Sequence, residues 1–252
     1  NGSVYLIAES EVGFGNNNRI YAFRDISQLR ENEQKRSEML EFLSHDMRSP
    51  QVAIIGLAEG EGQRLSAKER FQRIVMQANR TLKLADDFVQ IARLSARPVQ
   101  LVELDLSAQV IEAADRFYYQ AQKKKIALVQ NVDEDPIFVM GDPAMLARMV
   151  DNLLSNAIKF SPDGSAIELT AGLFQDDPTK ALLSVKDNGP GLPPERIEKP
   201  FARFGASSDT AGPSAGLGLT FVNEAVRQHQ GEITVETHEG IGTTFSITLP
   251  LA

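Results

Sequence analysis

The chain has no cysteine among its 252 residues, which removes disulfides, thiolate zinc sites and cysteine nucleophiles together. No apolar run approaches the length of about eighteen residues that crosses a bilayer, and no stretch of these residues is expected to act as a secretory leader. Positive charge is in deficit: the formal net charge is −8, which argues against a general nucleic-acid or anionic-membrane binder. Histidine is scarce, with only His45, His229 and His238. The chain begins at Asn1 rather than Met, and the missing cysteine suits a reducing compartment. The expectation is a cytoplasmic location, as the cytoplasmic piece of something longer, with no membrane contact in these residues.

What is present is ordinary for a soluble globular chain, 42% hydrophobic and 24% charged, and long enough for one large or two modest domains. Residues 1–26 read as two short strands, Val4–Ala8 and Arg19–Phe23, around a Gly- and Asn-rich turn. A lone hairpin is marginal in water, so this piece is expected to be the C-terminal remnant of an upstream sensory domain.

From Ser27 the pattern turns helical. Leu40, Leu43, Met47, Pro50, Ile54 and Leu57 form a heptad seam, and after a loop at Gly60–Gln63 so do Phe71, Val75, Ala78, Leu82, Ala85, Val89 and Ala92. Two such helices make an antiparallel hairpin. One hairpin cannot bury both seams and the flanking Ile74, Phe88 and Ile91, so a homodimer forming a four-helix bundle is predicted. Arg97-Pro98 ends the second helix. The domain boundaries therefore fall at 1–26, 27–98 and 99–252.

Residues 99–252 alternate strands and helices. Strands are expected at Leu101–Leu106, Ile126–Asn131, Ile137–Met140, Ile167–Phe174, Ala181–Lys186, Ile233–Thr237 and Thr244–Leu249, and helices at Ser107–Lys123, Pro143–Phe160 and Gly218–His229. Some strands follow one another directly, so the sheet should be mixed, with helices on one face as a two-layer α/β sandwich. The fold class is α+β. The Pro-, Gly- and Ser-rich stretch 193–215 reads as a lid.

Asn152, Asn156 and Lys159 share one helical face. That face is either merely solvated, or its amide oxygens help hold magnesium while the ammonium meets phosphate. Asp187-Asn188-Gly189-Pro190-Gly191 follows a strand. Alone it is a plain turn; in a pocket, the carboxylate could accept a hydrogen bond from an adenine amino group while the glycines admit the base. Gly216-Leu217-Gly218-Leu219 opens a helix, as mere capping or as an anion site. His45, in Phe42–Pro50 (FLSHDMRSP), falls at the outward f position of its heptad. It is either a solvated bystander or a nucleophile, with Asp46 able to take a proton from one ring nitrogen and orient the other. Pro50 should kink the helix. His229 and His238 read as surface residues.

Taken in this order, the motifs resemble the histidine protein kinases of two-component signalling over roughly residues 27–252. Asn152–Ser161 (NLLSNAIKFS) is similar to that family's asparagine box, Asp187–Pro193 to its first glycine box, Phe201-Ala202-Arg203-Phe204 to its phenylalanine box, and Gly216–Leu219 to its second glycine box. Phe42–Pro50 is similar to its phospho-acceptor box. The resemblance implies an ATP-binding domain of the kind shared with gyrase and Hsp90. Asn156 would ligate Mg2+ with Asn152 assisting, Lys159 would meet phosphate, Phe160 would pack near the adenine and Asp187 would recognise it. Gly189, Gly191, Phe204, Gly216, Leu217, Gly218 and Leu219 complete the implied ATP site. His45 would be the phosphorylated residue and Asp46 its acid/base neighbour, with a response-regulator receiver domain as the next acceptor.

Asn152 stands where related ATPases carry a glutamate base, which weighs against a gyrase-type hydrolase. A scaffold without phosphoryl transfer is disfavoured by the intact His45, Asp46, Asn156 and Asp187. Ser49 departs from the Thr or Asn usual in relatives with phosphatase activity, and leaves that activity open.

Overall fold

The computed structural model describes residues 4–11, 19–60, 65–96, 99–192, 201 and 217–252. Two compact units are present, Asn1–Ala85 and Asp86–Ala252.

In the first unit, β1 (Tyr5–Glu11) and β2 (Arg19–Asp25) pair antiparallel, with Ile7 opposite Phe23. Tyr5, Leu6, Ile7, Tyr21 and Phe23 all remain exposed, so the ribbon covers neither of its faces. Helix α1 spans Ser27–Glu59 and continues through Pro50 to a left-handed Gly60 that caps it. Helix α2 spans Ala67–Ala96, and its final residues belong to the second unit. It opens on a capping box, in which Ser66 Oγ accepts from Glu69 N while Glu69 Oε2 accepts from Ser66 N at 2.8 Å.

The heptad positions divide unevenly between solvent and interior. On α1, Pro50 is buried and Leu43, Met47, Ile54 and Leu57 are half-buried, while Leu40 is exposed. On α2 the expected seam faces out: Phe71 is 67% exposed, and Val75, Leu82 and Val89 are exposed with it. Leu84 is buried instead, with Ile74 and Phe88 half-buried. On α2, the large apolar residues that the heptad singles out are thus the ones a single chain leaves uncovered.

The second unit holds β3 (Val102–Asp105), α3 (Leu106–Lys123), β4 (Ala127–Val132), β5 (Phe138–Gly141), α4 (Pro143–Phe160), β6 (Ala166–Leu173), β7 (Lys180–Asp187), α5 (Leu217–Gln228), β8 (Glu232–His238) and β9 (Gly242–Pro250). Five strands form one mixed sheet in the order β4-β6-β7-β9-β8, parallel between β4 and β6 and antiparallel elsewhere. β3 and β5 make a separate antiparallel pair.

Strand alternation explains the layering. Ile167, Leu169, Ala171, Ala181, Leu183, Val185, Phe245, Ile247 and Leu249 are buried at every second position. Helix α3 packs on β4 and β6, α4 on β7 and α5 on β8, each through an apolar stripe such as Leu146, Met149, Val150, Leu153, Leu154 and Ala157 of α4. The helices start on side-chain caps: Asp105 accepts from Ser107 N at 2.9 Å and Asp142 from Met145 N at 3.0 Å, with Pro143 at the first turn of α4. Among the described residues, no helix is long and apolar enough to cross a membrane.

Candidate functional site

The buried stripe of α4 turns Asn152 and Asn156 to a half-buried flank and leaves Lys159 and Phe160 exposed at the helix end. The first turn of α5 lies directly on this flank. A Cβ added at Gly218 would stand 3.1 Å from Asn152 Oδ1, so only glycine lets the two helices approach without displacing the amide. Asn152 Nδ2 is buried with no hydrogen-bond partner among the described residues, an orphaned donor of the kind a ligand satisfies. Leu217 is buried and Gly218 and Leu219 are half-buried beside it. The Lys159 ammonium sits 4.7 Å from the centre of the Phe160 ring.

The turn after β7 closes against the C-terminal end of α4. A Cβ on Gly189 would meet Asp187 Oδ1 at 2.8 Å and the Phe160 carbonyl oxygen at 3.3 Å. Gly191 has φ +80°, and a Cβ there would lie 2.5 Å from His238 O, so both the conformation and the contact demand glycine. Asp187 Oδ1 accepts from Gly189 N at 2.8 Å and from Thr243 N at 3.2 Å. Burial pushes the Asp187 carboxyl above the ordinary carboxylate range, and those two backbone donors oppose the shift.

The β8–β9 hairpin buttresses this turn. Leu192 N donates to Thr237 Oγ1 at 2.9 Å, Gly240 N donates to Pro190 O at 2.8 Å, and Thr237 Oγ1 and Thr243 Oγ1 lie 3.1 Å apart. Thr243 and Gly242 therefore belong to the site, although the sequence reading left both outside any element, just ahead of the strand expected at Thr244–Leu249. The signal was a Gly-Thr pair at the head of a strand; what joins it to Asp187 is the β7–β9 register, which sets Asp187 opposite Thr243.

The structure brings Asn152, Asn156, Lys159, Phe160, Asp187, Gly189, Gly191, Leu217, Gly218 and Leu219 into one neighbourhood of the second unit. Phe204 and Gly216 lie outside the described residues, as does the stretch read as a lid apart from Phe201, whose ring is 6.5 Å from that of Phe245.

His45, in the first unit, is 82% exposed on α1, and its Nδ1 lies 3.2 Å from Asp46 Oδ1. The outward f position is what the heptad predicts. Ser49 is exposed one turn on.

One expectation is corrected. His229, read as a surface residue, is only 4% exposed. Its Nδ1 lies 2.7 Å from Ala225 O, and its Nε2 accepts from Asp142 N at 2.9 Å. A carbonyl can only accept, so Nδ1 carries the proton and the ring is the neutral tautomer. The residue joins the end of α5 to the start of α4, packed against Gly141. The His-Gln-Gly ending of the helix reads as solvated because the groups that bury it are nearly ninety residues away. His238 is exposed, as expected.

A nucleotide with magnesium fits these residues. The orphaned Asn152 amide and the close approaches at Gly189 and Gly218 form a cradle that a Cβ would fill. Among the described residues no group of three or more His, Cys, Asp or Glu side chains could hold a metal. A magnesium ion here would draw on amide oxygen, phosphate and water.

The chain resembles known proteins over most of its length. Residues 141–252 match the family described as histidine kinase-, DNA gyrase B-, and HSP90-like ATPase. The sensor protein VanS of Enterococcus faecium is 33% identical over 231 residues, covering 86% of this chain and 58% of VanS. The chain thus spans about three fifths of that relative's length. The structure of the mycobacterial sensor histidine kinase MprB is 32% identical, covers 60% of this chain and 97% of its own, and has a TM-score of 0.51. The histidine kinase ThkA, solved in complex with the response regulator protein TrrA, shares the fold over 99% of this chain and 79% of its own, at 23% identity and a TM-score of 0.68.

Proposed function

The chain belongs to the sensor histidine kinase family, and from that premise we propose that it transfers the γ-phosphoryl group of ATP to His45 and then to an aspartate of a response-regulator receiver domain. The observation that carries this reading is the pairing of His45 with Asp46. The carboxylate faces Nδ1, which leaves Nε2 as the nucleophile on a ring exposed to solvent. The Nε2 lone pair forms the new bond to the γ-phosphorus, the bond to the bridging oxygen breaks with its electrons leaving on ADP, and Asp46 takes up the Nδ1 proton. The phosphoryl group then passes from Nε2 to a carboxylate oxygen on the partner. ThkA, whose fold this chain shares, is captured with a protein of that class.

Positioning rather than covalent protein chemistry does most of the work in such a transfer. Asp187 would accept from the adenine amino group through Oδ2, since two backbone donors occupy Oδ1. Phe160 would flank the base, and Lys159 and the start of α5 would face the phosphates. Asn156, with Asn152 assisting, would hold Mg2+, which neutralises charge on the phosphate oxygens. Asparagine at 152 leaves no carboxylate there to activate water, which favours transfer to protein over hydrolysis.

In this reading, residues 27–98 are the dimerisation and phosphotransfer helices and 99–252 the ATP-binding domain. The exposed Phe71, Val75, Leu82 and Val89 support a homodimer, because a second copy would cover a seam this large. The uncovered β1–β2 ribbon supports residues 1–26 as the end of an upstream domain. A cytoplasmic setting suits all of these partners.

The deciding experiment is incubation with magnesium and γ-labelled ATP, comparing the parent with His45→Gln. Acid-labile, base-stable label that disappears in the variant is expected. Label that persists in His45→Gln, or tight nucleotide binding with no label in the parent, would refute the assignment.

A further inference from the structure

We infer that Lys124, at the end of α3, is a positioning residue for nucleotide binding, because its ammonium gathers the C-terminal carbonyls of α4 and holds Lys159 and Phe160 against the Asp187–Gly189 turn; this rests on the nucleotide reading above. The last turn of any helix leaves carbonyls without intrahelical donors. In α4, Ile158 O and Lys159 O are two of these, and Lys124 Nζ donates to them at 2.8 and 3.2 Å. The same ammonium donates to Ser161 O, just past the helix, at 2.6 Å. Three carbonyls match the three N–H donors of a lysine, and the cation sits at the negative end of the helix dipole. Asp163 Oδ1 lies 4.0 Å away and adds a weaker attraction.

The main chain of Lys124 is tied to the same segment. Its carbonyl accepts from Gly164 N at 2.8 Å, and its own N–H closes α3 on Ala121 O at 3.0 Å. Lys124 is thus fixed at one helix end while it caps another. Its neighbours in the Lys123-Lys124-Lys125 run are both exposed.

A lysine at a helix C-terminus is ordinarily a local stabiliser and nothing more. Here the held backbone is that of the residues whose side chains face the proposed ligand. Lys159 is gripped at its carbonyl, and Phe160 lies between gripped residues. The Phe160 carbonyl is in turn the atom that a Cβ on Gly189 would crowd. Slack in this turn is therefore transmitted to the phosphate-facing lysine, the aromatic wall and the adenine-facing turn together. The reaction at His45 lies outside that set, so the effect should fall on binding and not on the chemical step.

The test compares the full chain with Lys124→Met, Lys124→Arg and, as a neighbouring control, Lys125→Met. Backbone hydrogen exchange is followed without nucleotide, binding of Mg-ADP by calorimetry, and KM and kcat by autophosphorylation. For Lys124→Met, exchange should accelerate about tenfold within residues 158–165 only. The Kd for Mg-ADP and the KM for ATP should rise about five- to tenfold, with kcat at saturating ATP within about twofold. Lys124→Arg should recover most of the affinity, since guanidinium also caps carbonyls, and Lys125→Met should behave as the parent. Should Lys124→Met fail to fold, Lys124→Gln, which keeps two donors without charge, carries the same comparison.

Unchanged affinity in a variant whose exchange has accelerated would overturn the inference. So would weaker binding with unchanged exchange, which would make Lys124 a direct ligand contact. A parent that binds no Mg-ADP would defeat the nucleotide reading and this inference together, whereas a binding parent with indifferent variants defeats this inference alone.

Discussion

His45 and Asp187 are both ionisable groups at the centre of the proposed reaction, and they are held in opposite ways. His45 is 82% exposed and touches Asp46, its neighbour in sequence, at 3.2 Å. Asp187 is half-buried, with one oxygen engaged by backbone donors from its own turn and from a strand more than fifty residues downstream. A group that must meet a nucleotide and then a second protein gains from exposure, and a helix supplies its orientation without tertiary support. A group that selects one ligand must be desolvated and fixed, which takes long-range contacts. By this contrast, changes at the acceptor should alter chemistry and spare the fold, while changes at the pocket should alter both.

The largest effect should come from Asp46→Asn. Removing the proton acceptor should slow autophosphorylation by about 10²–10⁴-fold, with Mg-ADP affinity and the unfolding midpoint unchanged. Single-turnover labelling alongside calorimetry checks this, and a shift in nucleotide affinity would break the separation between the two regions.

Asp187→Asn should cut across binding and stability with opposite signs. Loss of the charged acceptor for the adenine amino group should weaken nucleotide binding about tenfold to a hundredfold. The fold itself should become more stable near neutral pH. Burial raises the Asp187 carboxyl in the native protein, so the folded state retains this proton more readily than the unfolded chain. The stabilising contribution of that retained proton is complete in acid, below the unfolded-state value, and is lost as pH rises through the raised one. Asparagine, neutral throughout and still able to accept from Gly189 N and Thr243 N, escapes that loss. Denaturant titrations of both proteins across acid and neutral pH should show the gain of Asp187→Asn shrinking as pH falls.

Gly242→Ala tests the buttress rather than the ligand contact. Gly242 has φ +147°, and a Cβ there would collide with Asp187 O where β7 and β9 pair. Strain plus the collision should destabilise the second unit by about 2–5 kcal/mol and weaken nucleotide binding with it. Denaturant titration and calorimetry read the two effects separately. An equivalent loss from a glycine substitution in the acceptor helix, such as Gly56→Ala, would erase the contrast.

The same contrast explains what could be read from the sequence. The helices Ser107–Lys123 and Pro143–Phe160 were legible almost to the residue because caps and apolar stripes are local signals. The outward position of His45 follows from heptad arithmetic alone. Asn152, Asp187 and Gly218 were legible as motifs, but their mutual contacts were not. The roles of Thr243, Lys124 and His229 depend on strand register and on atoms 34 to 87 residues away. A window that reports helix or strand carries no record of such partners. The exposed face of α2 carries the seam the heptad picks out, but the heptad finds an apolar stripe without saying whether the same chain or another copy covers it.

The smallest effect should come from His229→Phe, and it limits how far the pocket extends. The ring would keep much of the volume beside Gly141 but could not accept from Asp142 N, the N-cap of α4. Leaving that buried donor unpaired should cost about 1–3 kcal/mol, measurable by denaturant titration. Nucleotide affinity should move by less than about twofold, because an 18-residue helix is about 27 Å long and Lys159 and Phe160 occupy its far end. Equal losses of affinity in His229→Phe and Lys124→Met would mean that α4 responds as one rigid rod. Loss in Lys124→Met alone would mean that its last turn is adjusted separately, by the lysine that caps it.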